Sequence, residues 1–153
     1  GKKLSYPMPR ARTLRPGRAE GRLVGGNMSL FTSLIGTPYM PDLNGAILFL
    51  EDTGEERSRI ERMFIRLRLS GVLDRISGLI LGQFSDMTDT GRTPYGFTLN
   101  DMMEKNFGHL SIPVLTHAPF GHTPGLVPMP VGGLVRLNAT SPALSLSEAA
   151  VEV

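Results

Sequence analysis

The chain has no cysteine and no tryptophan among its 153 residues, and only three histidines. Without cysteine there is no disulfide framework and no thiolate zinc site. Without tryptophan there is no indole to stack against a purine. No apolar run approaches the roughly 20 residues needed to cross a bilayer, and no signal-peptide pattern opens the sequence. These absences lead to the expectation of a cytoplasmic protein with no membrane partner. What is present suits one compact domain: 41% of the residues are hydrophobic and 20% charged, which is ordinary for a chain able to bury a core.

The net charge of +2 hides an asymmetry. Residues 1–22 carry seven basic groups (Lys2, Lys3, Arg10, Arg12, Arg15, Arg18 and Arg22) against Glu20, and the remaining 131 residues sum to −4. Such an arm can bind an anionic surface or nucleic acid. Here Pro7, Pro9, Pro16 and Gly17 interrupt it, Tyr6 is its one aromatic, and nucleic-acid motifs are absent. A solvated linker over residues 1–20 is therefore expected, with no nucleic-acid partner.

Hydrophobic spacing organises the rest. "GRLVGGN" is a short strand ending in a glycine pair. "NMSLFTSLIG" predicts a short helix with Leu30, Phe31, Leu34 and Ile35 as its apolar set, Asn27 as N-cap and Gly36 as its stop. "AILFLED" is a continuous apolar run of strand length, hence a strand buried on both faces. Thr53 and Glu56 have capping-box spacing ahead of a helix with an Ile60, Met63, Phe64, Leu67 stripe, closed by Gly71. "ISGLILGQF" is a second buried strand, 85–97 a polar loop, and Thr98 the cap of a helix with Leu99, Met102, Met103 and Phe107 inward. "IPVLTHAPFG" is a third strand, and two or three short strands follow. Helices between early strands, then a strand-rich end, predict an α/β fold of mixed barrel or sandwich type.

Two residues carry most of the chemical interest. Glu51 ends an all-apolar strand, where scaffold rigidity and solvent access meet; the plainer reading is that Glu51 or Asp52 only supports the following helix by its charge. His122 follows a strand and a glycine, and a histidine oriented by a carboxylate is the base half of a hydrolytic triad. On spacing alone His122 reads equally as a loop residue. His117 and His122 are five apart, which on an extended chain points them to opposite faces, and no metal-binding spacing supports them; neither a metal nor another cofactor is expected. No serine sits in a nucleophile elbow: Phe84 and Gln83 separate Ser85 from Gly82, and a loop follows it. Ser29 fits a helix cap or a supporting hydrogen bonder, and the Gly25–Gly26 pair before it is a possible anion cradle at the helix N-terminus.

Taken as ordered blocks, "GRLVGGNxS", "GTPY", "GAILFLED", "RIERM" and "FGH" resemble the LD-carboxypeptidases, cytoplasmic serine peptidases that include the microcin C immunity proteins. The resemblance runs from about Leu14 to the strand at Leu134–Leu137. It implies a swivelling β/β/α-type C-terminal domain over residues 21–153, reached by a 1–20 linker from an N-terminal nucleophile domain that this chain lacks. It also implies a split Ser-Glu-His triad in which Glu51 and His122 are the catalytic pair, with no nucleophile in this chain and with Gly26, Asn27, Ser29 and Gly121 as substrate-binding or supporting positions. The implied substrate is cytoplasmic murein tetrapeptide, from which D-alanine is removed during peptidoglycan recycling, and the family's habits permit a homodimer. The rival expectations are a stand-alone, non-catalytic peptide-binding module using "GGN" and the Arg57–Arg68 helix face, and a microcin-type peptide-nucleotide hydrolase.

Overall fold

The computed structural model describes residues 5–125 and 127–147. Lys2 and Lys3 of the basic arm, and positions 148–153 of the expected domain, lie outside the described residues. The elements are β1 (Ser5–Pro7), β2 (Arg12–Arg15), β3 (Arg18–Asn27), α1 (Met28–Ser33), β4 (Ile47–Thr53), α2 (Arg57–Leu69), α3 (Val72–Arg75), β5 (Gly78–Ser85), α4 (Leu99–Phe107), β6 (Val114–Thr116), β7 (Leu134–Asn138) and β8 (Ala143–Leu146). The strands form one mixed eight-stranded sheet ordered β1-β8-β7-β3-β4-β5-β6-β2.

β3 joins two kinds of pairing. Its first half, from Arg18 to Arg22, runs antiparallel to β7, and its second half, from Leu23 to Asn27, runs parallel to β4. β4, β5 and β6 continue the parallel set. Because β1 and β2 are neighbours in sequence yet lie at opposite ends of the sheet, the sheet must curl. The Thr13 hydroxyl on β2 donates to the Ala139 carbonyl in the β7–β8 turn, which brings the far edge round. This is the expected mixed α/β architecture.

Strand alternation sorts the apolar residues into two cores. Ile47 and Phe49 of β4 join Leu23, Ile80, Leu115, Val135, Leu137 and Leu144 inside the curl. Leu48 and Leu50 face the other way, onto Phe31, Ile60, Phe64, Leu67, Met102 and Phe107 of the helices. Phe64 anchors that layer, edge-on to Phe84 at 5.7 Å and to Phe107 at 4.8 Å between centroids. The uninterrupted run of β4 is thus explained by cover on both faces, and each large side chain buried contributes roughly 1.5–3 kcal/mol.

Several local expectations are corrected. Residues 1–20 are not a plain linker: β1, β2 and the start of β3 lie within them, and β1 and β2 are the two edges of the sheet. Thr53 does not cap α2. It is drawn into β4 opposite Ser85, and Glu56 takes the N-cap place without a side-chain bond. Leu30, expected on the apolar side of α1, is 70% exposed. The Thr98 cap is present, as a reciprocal box with Asp101.

Candidate active site

The parallel strands deliver their carboxyl ends to one edge of the sheet, with Asn27 beside Glu51 in register. Successive residues of β4 project to opposite faces, so two adjacent carboxylates have different partners. Asp52 turns to the helix side. It accepts from Asn27 Nδ2 at 2.9 Å, from the Ser29 backbone N–H at 3.0 Å and from Ser29 Oγ at 2.8 Å. Asn27 in turn accepts from the Leu30 N–H at 3.1 Å. The free amides at the start of α1 are therefore held by the chain's own Asp52 and Asn27. That fills the anion cradle expected after the glycine pair.

Glu51 turns the other way and accepts from His122, with Nδ1 to Oε2 at 2.8 Å. The Glu51 side chain is 10% exposed and that of His122 59%, so the carboxylate is set in the fold while the ring reaches solvent. With Nδ1 engaged by the carboxylate, the neutral ring carries its lone pair on Nε2, the atom needed by a general base. Gly121 makes this contact possible. Its φ is +118°, and a Cβ there would lie 3.1 Å from Glu51 Oε2 and 3.2 Å from the Gln83 carbonyl. Gly26 lies one residue before Asn27, with open space where a side chain would be.

The structure thus brings together Glu51, His122 and Gly121, and sets Asn27 and Ser29 around the neighbouring Asp52. Among the described residues it gives His122 no hydrogen bond to a serine. Ser29 Oγ is bonded to Asp52 and Glu55, and Ser85 Oγ donates to Thr53 Oγ1 at 2.8 Å. Among the described residues no His, Cys, Asp or Glu group of metal-binding size occurs. His117 stands apart. Its φ of +56° breaks the extended chain on which the opposite-face argument rested, its Nδ1 meets Thr116 Oγ1 at 2.9 Å, and burial, then Arg12, hold its imidazole below the usual range.

The loop 86–97 folds back on α2. The Arg57 N–H donates to the Thr88 carbonyl at 3.1 Å, and the Tyr95 hydroxyl donates to buried Glu61, which also takes Lys105 Nζ at 2.8 Å. Those two donors hold the Glu61 carboxyl below the usual carboxylate range, Lys105 the more strongly. Gln83 is the residue of this edge that sequence patterns passed over; Asp52, read from the sequence only as charge support for the helix after β4, is bonded instead at the start of α1. The one available sign of Gln83 was a polar side chain inside the apolar run "GLILGQF".

The sequence profile of the LD-carboxypeptidase C-terminal domain matches residues 20–137. The chain belongs to the LD-carboxypeptidase family. A putative carboxypeptidase of Synechocystis is 38% identical over 84% of this chain and 42% of its own length. The microcin C7 self-immunity protein of Escherichia coli is 33% identical, over 86% of the chain and 38% of that protein. The crystal structure of muramoyltetrapeptide carboxypeptidase from Oxalobacter formigenes superposes with a TM-score of 0.82 at 35% identity, covering 97% of this chain and 51% of that one. The chain therefore spans about two fifths of the length of the curated LD-carboxypeptidases it matches.

Proposed function

We propose that this chain supplies the base and its orienting carboxylate to a serine LD-carboxypeptidase whose nucleophile lies on a segment outside these residues. The observation that carries the proposal is the 2.8 Å contact between His122 Nδ1 and Glu51 Oε2 at the carboxyl edge of the parallel strands. Glu51 fixes the ring with Nδ1 protonated and stabilises the imidazolium when it forms. Nε2 takes the serine proton during attack on the scissile carbonyl and returns it to the departing amine. The oxyanion donors come with the nucleophile's segment. Likeness to a murein-processing relative supports murein tetrapeptide as substrate and D-alanine as leaving group, in peptidoglycan recycling in the cytoplasm. That Ser29 and Ser85 are already engaged within the chain supports a nucleophile from elsewhere.

The test uses the full-length protein that contains this chain, assayed for D-alanine release from murein tetrapeptide. His122→Ala should lower kcat by roughly 10⁶-fold and Glu51→Ala by roughly 10⁴-fold while thermal unfolding changes little. Full turnover by the His122→Ala protein would end the assignment. Hydrolysis of a peptide nucleotide in place of the tetrapeptide would move the protein to the microcin-type branch.

A further inference from the structure

Gln83 does more for this edge than its place in an apolar strand suggests. Leu50 pairs with Leu81 and Asp52 with Phe84, so β5 spends one residue more than β4 over the same stretch. Leu81 and Phe84 consequently both face the helices. Such bulges are uncommon in parallel pairs and re-aim side chains beside functional sites. Gly82 is required within it: a Cβ there would lie 2.5 Å from the Phe120 ring and 2.7 Å from the Phe120 carbonyl. The bulge leaves Gln83 facing the segment that leads from β6 to His122.

Gln83 then bonds that segment repeatedly. Its backbone N–H donates to the Phe120 carbonyl at 2.9 Å. Its side-chain Nε2 donates to the His117 carbonyl at 3.0 Å and to the Ala118 carbonyl at 3.1 Å. Both partners are acceptors, so only the –NH₂ end of the amide can serve them and the orientation of the group is fixed. His117, whose carbonyl is one of the two, is in the left-handed region, a conformation that persists where neighbouring bonds over-determine it. Gly121 lies against both the Gln83 carbonyl and Glu51. The path from β6 to the imidazole is therefore pinned at 117, 118 and 120, and Gln83 takes part at each of these three points.

We propose that Gln83 is a positioning residue, whose side-chain amide on the β5 bulge holds the 117–121 loop so that His122 meets Glu51 in one geometry. The consequence for turnover rests on the catalytic role proposed above for that pair; the effect on the pair itself does not. The 153-residue chain, isotope-labelled, is compared with Gln83→Met, which keeps length and removes the donor, and with Gln83→Glu, which keeps shape and reverses the group's hydrogen-bonding character. In the unmodified chain at alkaline pH, imidazole nitrogen spectra should show His122 as the single Nδ1–H tautomer. Both variants should give His122 as a mixture of exchanging tautomers, with exposed His109 unchanged. Variants that keep the single tautomer would overturn the proposal. If a variant does not fold, the unmodified chain decides: Gln83 side-chain amide protons exchanging as fast as those of exposed Asn100 would overturn it, and slower exchange would support it. In the full-length enzyme, Gln83→Met should lower kcat about ten- to a hundredfold with KM little changed. A disturbed tautomer in a protein that never had peptidase activity would retain the positioning role and remove the catalytic reading. Unaltered kcat in an active enzyme whose tautomer is disturbed would show that the loop need not be held for turnover, and would remove the functional half of the proposal.

Discussion

The two halves of the sheet are built on opposite plans. In the parallel half, β4 is buried along almost its whole length, and β5 nearly so, because one core lies inside the curl and helices cover the other face. In the antiparallel half, β7 and β8 alternate buried and accessible residues. Their outer face carries a Glu20–Arg136 pair and a cavity of about 560 Å³ lined by Arg18, Asn138 and Ser145. That cavity lies away from Glu51 and His122, which meet at the other end of β3's pairing. A strand packed on both faces cannot shift, and its last residues are therefore well placed to hold a carboxylate against a histidine. The antiparallel half contributes Val135, Leu137, Leu144 and Leu146 to the core beneath. It works as a wall, and the parallel half presents the Glu51–His122 pair.

The contrast can be broken in order of severity. Gly25→Ala in the parallel half should prevent folding altogether, since a Cβ would lie 1.8 Å from the Phe49 carbonyl at a φ of +143°. Circular dichroism without a cooperative transition would show this, whereas Gly26→Ala meets no atom within 4 Å and suffers only backbone strain. Leu137→Ala in the wall should cost about 2–5 kcal/mol in denaturant unfolding, and the variant should keep the His122–Glu51 contact in NMR spectra recorded below its melting temperature. Loss of that contact in the folded variant would mean the halves are not separable. The smallest effect is expected at Tyr95→Phe, about 1–3 kcal/mol, from removing one donor to buried Glu61. Glu61 titrates below its ordinary 4.5 in the folded chain. Its contribution is thus present above that value and is lost as pH falls through the lowered one. The unmodified chain should lose stability over this acid window more steeply than Tyr95→Phe does.

Much of this was readable from residues whose neighbours in sequence are also their neighbours in space. The apolar run of β4, the stripe of α2 and the Thr98 cap are local, and the fold keeps all three. What escaped depends on distant partners. β1 and β2 have little pattern of their own and exist by pairing with β8 and β6. Thr53 has the spacing of a cap, yet Ser85, thirty-two residues on, draws it into the ladder. The meeting of Glu51 with His122 could be proposed from family blocks, but 71 residues separate them and no local period brings them together. The bulge at Gly82–Gln83 left only one trace, a glutamine among leucines and phenylalanine.

The edge strand β1 sets an order of events for the nascent chain. Ser5 pairs with Ser145 and Pro7 with Ala143, so β1 is made well before its partner and can pair only when β8 has emerged. The parallel strands from β3 to β6 can meet long before then. Closing such a long loop is slow, and β1, with β2 beside it in sequence, should be the last seam to seal. Until that moment the inner core stays open along one side, and the ribosome-bound chain has to tolerate Leu23, Val135 and their neighbours being within reach of water.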